Sequence, residues 1–421
     1  MTRILHLSVH TSPLAPLGGR DAGGMNVYVL ELSRALGELG YQVDVMTRLD
    51  GDLPPIAPLG PNVRLVRLAA GPPLPLPKDD IARCGAEFAR EALAFVAREG
   101  RGYDLIHSHY WQSARIGLAL ARAWNVPHAV MFHTLGAVKN RARVSEAEPR
   151  RRIAAERLAA RRADAVVTAS RHERELLVRD YGADPSRLVT IPCGIDLELF
   201  APRNRAQARA RLGVPPEPPL LVWVGRLEPL KGVDILVDAF AQLQRRDALL
   251  WIVGGDTDAE AYRSALEAQA RERGVRERVR FTGPMPHTEL PWLYSAADVC
   301  VVPSYYESFG LVAVEAMACG TPVVASRVGG LAETVIDGVT GYLIPWRCPE
   351  PFAEKLDVLL ANPELRANFG RAGRRVAERF RWPSVAARIA SLYEALRAGR
   401  RRGARFRDEI YEATLLAGGQ L

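Results

Sequence analysis

Short apolar runs alternate with longer amphipathic stretches along most of the chain. The runs at 4–9, 43–46, 63–68, 105–107, 128–132, 165–169 and 189–191 have the length of buried strands. Between them, 26–39, 79–98, 113–124 and 151–163 carry helical spacing. A polar link at 192–202, marked by Pro192, Gly194 and Pro202, is the candidate hinge. A second series follows, with strands at 220–224, 249–253, 279–281, 299–302 and 323–325 and helices at 233–244, 259–273 and 309–319. Residues 338–344 and two C-terminal helices complete it. The stretches 71–77, leading to Lys78, and 133–140 read as loops. This rhythm predicts an α/β protein with parallel sheets covered on both faces.

A chain of 421 residues exceeds one ordinary core. The expected division is an N-terminal domain at 1–198 and a C-terminal domain at 199–380. A helix at about 381–400 would pack back on the first domain, leaving a tail at 401–421. Two doubly wound domains joined by a hinge place a ligand cleft between the carboxyl ends of their sheets.

Composition narrows the class. Hydrophobic content of 48% with charged content of 25% is that of a globular protein in water. No segment has the uninterrupted apolar length of a membrane span, and the chain opens directly on a strand, so the expected location is the cytoplasm. Five scattered cysteines lack metal-ligand spacing and read as buried thiols in a reducing compartment. The net charge of +8 admits nucleic acid, anionic lipid or small anions as partners. Diffuse arginine without an aromatic platform argues against nucleic acid. The one basic helix pattern that could lie on a membrane, 150–162, has few large apolar residues to insert. Lysine says more. Only Lys78, Lys139, Lys231 and Lys355 occur, the first three in loops bounded by Gly or Pro, where a retained lysine marks a compact point charge.

The chemistry centres on 298–330. Glu307 follows the strand at 299–302, and Glu315 sits eight positions on, in a helix apolar on nearly every face. A carboxylate there is costly unless something bonds it. Ribose hydroxyls would serve, and the helix-opening amides of Phe309, Gly310 and Leu311 suit a diphosphate. An arginine partner for Glu315 and a solvated Glu307 remain the alternative. Arg226 and Lys231, between a strand and a helix, can converge on one anion, although no Walker string is present. Gly18-Gly19 and Gly23-Gly24 form a loop entering a helix without dinucleotide spacing. His107, His109 and His133 end predicted strands and read as substrate contacts or packing ahead of a metal site. His6, His10, His128, His172 and His287 default to structural roles. No nucleophile elbow supports a hydrolase.

Together, Gly23-Gly24, His133-Thr134, Gly225-Arg226 with Lys231, and Glu307 with Glu315 resemble the signature of family-4 retaining glycosyltransferases. The likeness covers residues 1 to about 395. It implies the GT-B fold, two Rossmann-like domains around an interdomain cleft. It implies donor binding by Gly24, Arg226, Lys231, Met285, Glu307, Phe309, Gly310, Leu311 and Glu315. His133, Arg226, Lys231 and Glu307 would be the catalytic set, working without metal or other cofactor. The strings at 9–14, 21–29, 103–111 and 133–140 are similar to members that glycosylate inositol phosphate. That implies transfer of N-acetylglucosamine or glucose from a UDP-sugar. Lys78, Tyr110, Thr134 and Arg151 would hold the acceptor phosphate, with Asn26 on the polyol hydroxyls. Residues 135–137 and 152–156 also resemble sucrose-phosphate synthases, implying glucose transfer to fructose 6-phosphate. A non-catalytic nucleotide-binding module is the reading from outside the enzymes, and a homodimer stays open.

Overall fold

A computed structural model describes residues 1–15, 23–142, 147–255, 259–345 and 347–402. Gly18, Gly19 and the tail from 403 onward lie outside these residues. The first sheet holds β1 (Arg3–Leu7), β2 (Gln42–Arg48), β3 (Ile56–Gly60), β4 (Val63–Leu68), β5 (Leu105–His109), β6 (His128–Met131), β7 (Ala165–Thr168) and β8 (Leu188–Thr190). Their order is β3-β4-β2-β1-β5-β6-β7-β8, parallel except for the antiparallel β3–β4 pair. The second sheet holds β9 (Leu220–Val224), β10 (Leu249–Val253), β11 (Val279–Gly283), β12 (Val299–Val302), β13 (Val323–Ser326) and β14 (Gly341–Ile344). Its order is β11-β10-β9-β12-β13-β14, parallel throughout. Both sheets reverse direction beside their first strand, between β1 and β5 and between β9 and β12. Ligands bind at the carboxyl ends beside such reversals.

Burial explains why apolar runs were a sound guide. All four residues of β12 are buried, because helices cover both faces of a parallel strand. Strand β3 escaped notice because Pro58 and Gly60 break its pattern, and an edge strand tolerates both. The helix expected at 79–98 is two, Lys78–Arg83 and Gly85–Glu99, meeting at Cys84. The expected loop at 133–140 contains the helix Gly136–Ala142. Helices Arg171–Tyr181 and Leu290–Ala296 are additional, and the C-terminal region has three helices where two were expected. Lys78 and Lys139 therefore sit in helices and Lys231 closes the turn Pro229–Lys231. Pro77 before Lys78, with Asp79 and Asp80 in the first turn, favours a helix start there.

The chain crosses between the sheets twice. After the link at 192–202 it returns through the helix Trp382–Arg402, which packs on the helix Gly24–Glu38. Tyr393 on this returning helix reaches His107 Nδ1 at 2.7 Å and His6 Nε2 at 3.1 Å. The Ile195 amide donates to the Phe380 carbonyl at 2.7 Å, so the two crossings lie side by side. No helix among the described residues is long and apolar enough to cross a membrane.

Candidate active site

A cavity of about 320 Å³ lies between the two sheets, at their carboxyl ends. Every site residue named from the sequence lines it except Arg151.

The C-terminal wall is made of two loops pressed together. Gly232 has φ +67°, and a Cβ there would lie 2.1 Å from the Pro303 carbonyl oxygen. Only glycine lets the turn carrying Lys231 lie against the loop after β12. Lys231 Nζ sits 2.6 Å from Glu307 Oε1, which also accepts from the Ser304 hydroxyl at 3.1 Å. Arg226 Nη2 pairs with Glu228 Oε1 at 3.0 Å. Burial pushes the Glu228 carboxyl up, but Arg226, Lys231, Lys139 and Lys78 outweigh it and leave the group below its usual range. Helix Leu311–Ala318 begins at Gly310, whose carbonyl takes the Ala313 and Val314 amides and leaves those of Leu311 and Val312 without a partner in the helix.

Glu315 is 6% exposed. Its partner is not an arginine. The Tyr294 hydroxyl donates to Oε2 at 3.0 Å and His287 Nε2 meets Oε1 at 3.2 Å. Burial draws the His287 imidazole down, yet its bond to Glu315 and the charges of Glu315, Glu31 and Asp196 leave it above its ordinary value. The sequence alone gives His287 only a structural role. A carboxylate needing a partner in an apolar helix was the only signal, and it did not say which residue would answer.

The N-terminal wall is tightly held, with neutral imidazoles beside Lys78 and Lys139. A Cβ at Gly24 would meet Leu311 Cδ1 at 2.9 Å, so the walls nearly touch there. Asn26 lines the cavity, but its amide donates to Thr11 Oγ1 and the Ser12 carbonyl and accepts from the Gly23 amide. With both N–H groups engaged, it offers a polyol only a second lone pair on Oδ1. Tyr110 and His133 both hold left-handed backbone, at φ +74° and +62°. Such strain in non-glycine residues persists only where the surroundings impose it.

Hydrogen bonds behind His133 fix the protons of His6 and His107. The Ser33 hydroxyl donates to Val29 O at 2.6 Å, so its oxygen accepts from His6 Nδ1–H at 2.8 Å. His6 Nε2 then accepts from Tyr393, and Tyr393 in turn accepts from His107 Nδ1–H. His109 Nδ1 lies 3.1 Å from His133 Nε2. Burial lowers His6, His128 and His133 to about 3, so these rings are neutral at pH 7. One ring nitrogen from each of His6, His107 and His109 lies within 4.8 Å of the others, but both His6 nitrogens are already bonded. His133 stands outside that cluster.

Arg151, expected on the acceptor phosphate, does not line the cavity. It is half exposed and pairs with Asp79 outside the cavity. Its neighbour Arg152 turns inward. Arg152 donates to Thr134 Oγ1 at 2.9 Å, stacks 4.9 Å from the Tyr110 ring, and pairs with Glu148 and Glu156 at 2.8 and 2.7 Å. Helical phase decides this, since Arg152, Glu156, Ala159 and Ala160 form one buried stripe. Lys139, the third lysine on the cavity, pairs with Glu148 at 2.5 Å. His10, Lys139, Glu228 and His287 line the cavity without having been assigned to the site.

Comparison with known proteins agrees with this architecture. Residues 22–199 match the family described as Glycosyltransferase Family 4, and 204–376 match Glycosyl transferases group 1. A D-inositol 3-phosphate glycosyltransferase 2 of Catenulispora acidiphila is 44% identical over 95% of this chain and 97% of its own. A D-inositol 3-phosphate glycosyltransferase of Xylanimonas cellulosilytica is 42% identical over 96% of this chain and 98% of its own. Among solved structures, a sucrose-phosphate synthase from Thermosynechococcus elongatus superposes with TM-score 0.89 at 38% identity, covering 95% of this chain and 100% of that one. Anabaena HepE, solved with UDP and glucose, shares the fold at TM-score 0.76 and 22% identity, covering 94% of this chain and 100% of that one. Two parallel-sheet domains facing one charged cleft define an enzyme of GT-B architecture. The chain belongs to the family-4 glycosyltransferases.

Proposed function

We propose that this enzyme moves N-acetylglucosamine or glucose from a UDP donor to a small phosphorylated polyol such as inositol phosphate, with retention at the anomeric carbon. The observation that carries this reading is the placement of cations on both walls of one cavity. Arg226 and Lys231 stand on one side, Lys78 and Lys139 on the other. A cleft built this way suits two anions at once, a diphosphate and an acceptor phosphate. Full-length similarity to D-inositol 3-phosphate glycosyltransferases supports the acceptor class.

In this reading Glu315, oriented by Tyr294 and His287, takes the ribose hydroxyls. The amides near Gly310 and Leu311 take the diphosphate with Arg226 and Lys231. Glu307 takes hydroxyls of the donor sugar. Lys78, Tyr110 and Thr134 hold the acceptor phosphate, with Arg152 rather than Arg151 bracing Tyr110 and Thr134 from behind. Glu307 is tied to Lys231 and so is poorly disposed to act as a nucleophile. The acceptor hydroxyl therefore attacks on the face the diphosphate leaves. The bond from the anomeric carbon to phosphate oxygen breaks, a bond to the acceptor oxygen forms, and the hydroxyl proton passes to the leaving diphosphate. Arg226 and Lys231 stabilise the departing charge in place of a metal. Turnover is expected to persist in EDTA, and a loss reversed by magnesium would remove that part.

The test supplies UDP-N-acetylglucosamine with inositol phosphate and UDP-glucose with fructose 6-phosphate, reading products by mass spectrometry. Product from the first pair alone is expected. Product from the second alone would establish a sucrose-phosphate synthase, the reading favoured by the 38% identical structural relative.

A further inference from the structure

Each diphosphate-facing cation in the cleft is already paired with a carboxylate of the protein's own. Lys231 is held by Glu307 and Arg226 by Glu228. In a loaded cleft Glu307 has the sugar hydroxyls to turn to. Glu228 has no such partner. It opens the turn Pro229–Lys231, lines the same cavity, and is kept ionised by cations from both walls. A diphosphate seated on Arg226 would bring phosphate oxygens close to this carboxylate. Like charges at such range repel strongly in a partly desolvated cleft.

We propose that Glu228 is an internal counter-ion that competes with the nucleotide for Arg226. It holds the guanidinium in the empty cleft, yields it to the incoming donor, and reclaims it to loosen the UDP product. The inference rests on the reading of this cleft as a UDP-sugar site. Glu228 is a positioning residue, since it acts through Arg226 and touches no reacting atom. The competition bears hardest on the product. An intact donor brings a sugar whose hydroxyls engage Glu307 and the opposite wall, and these contacts offset the repulsion. Free UDP lacks them.

Calorimetric titration of UDP into the full-length enzyme tests this. Glu228→Gln, close in shape and uncharged, is expected to tighten UDP about tenfold, the effect of removing one partly screened charge from a binding site. Glu228→Asp, which keeps the charge, should stay within about twofold of the parent. Product inhibition by UDP should deepen in Glu228→Gln in step with the calorimetric change. Glu228→Ala should follow Glu228→Gln, which guards against the new amide itself bonding Arg226. UDP affinity unchanged or weakened in both neutral variants would overturn the inference, because the carboxylate would then be orienting Arg226 for the ligand. An unmodified enzyme that binds no UDP would instead sink the donor reading, and the two failures are told apart by that first titration.

Discussion

The two walls of the cleft solve different problems with different materials. The C-terminal wall carries its charges in partly exposed pairs, Arg226 with Glu228 and Lys231 with Glu307, which can trade partners when an anion arrives. The N-terminal wall sets Lys78 and Lys139 beside a dry core of neutral imidazoles, where His133 meets His109 and a His6–Tyr393–His107 chain lies behind them. Two carboxylates show the contrast. Glu228 is held below its usual range by surrounding cations, whereas burial pushes Glu173, behind the N-terminal wall, up to about 7. Exchange of ligands needs charge that water can still reach. Exact placement of His133 needs a core that keeps its ring neutral.

The sharpest break of this contrast is Arg152→Ala, which would leave Glu156 buried behind the N-terminal wall without its cation. Loss of one partner from a buried pair costs roughly 3–5 kcal/mol, and denaturant unfolding should show it. Glu173 comes next. Its folded pKa of about 7 lies above the ordinary carboxylate value, so the folded state keeps a proton that the unfolded chain has released. Stability should therefore be full below pH ~4.5 and fall by roughly 3 kcal/mol as pH rises through about 7. Glu173→Gln should abolish that slope, and an unaltered slope would mean the carboxylate is not the source. On the other wall, Lys231→Ala should lower kcat by about ten- to a hundredfold, matching a charge-assisted bond of roughly 1.5–3 kcal/mol, with circular dichroism unchanged. The smallest effect is expected from Arg151→Ala. Its side chain faces solvent, and both stability and acceptor KM should stay near the parent, within about 0.5 kcal/mol for unfolding.

The strands are plain in the sequence where both faces pack on apolar neighbours, as in β12, although the equally buried β5 also holds His107, Ser108 and His109. The lysines are plain too. Three of the four line the cavity, and Lys355 lies instead over the Tyr342 ring. What stayed hidden depends on rotation and distance. Arg151 and Arg152 are adjacent in a run of arginines, and only the small buried pair Ala159 and Ala160 sets the helix's phase. His287 reaches Glu315 across 28 residues, and Glu333 reaches from the C-terminal domain to cap the amides of Arg171 and His172. Short edge elements such as β3 carry too few apolar positions to announce themselves.

The paired crossings at Ile195 and Phe380 set how the walls can part. One backbone hydrogen bond ties the two crossings to each other. A doubly tethered pair of domains is limited in how far it can slide, so like the covers of a book it should bring the same residues to face each other at every closing. A single proteolytic nick in the first crossing would leave both covers attached.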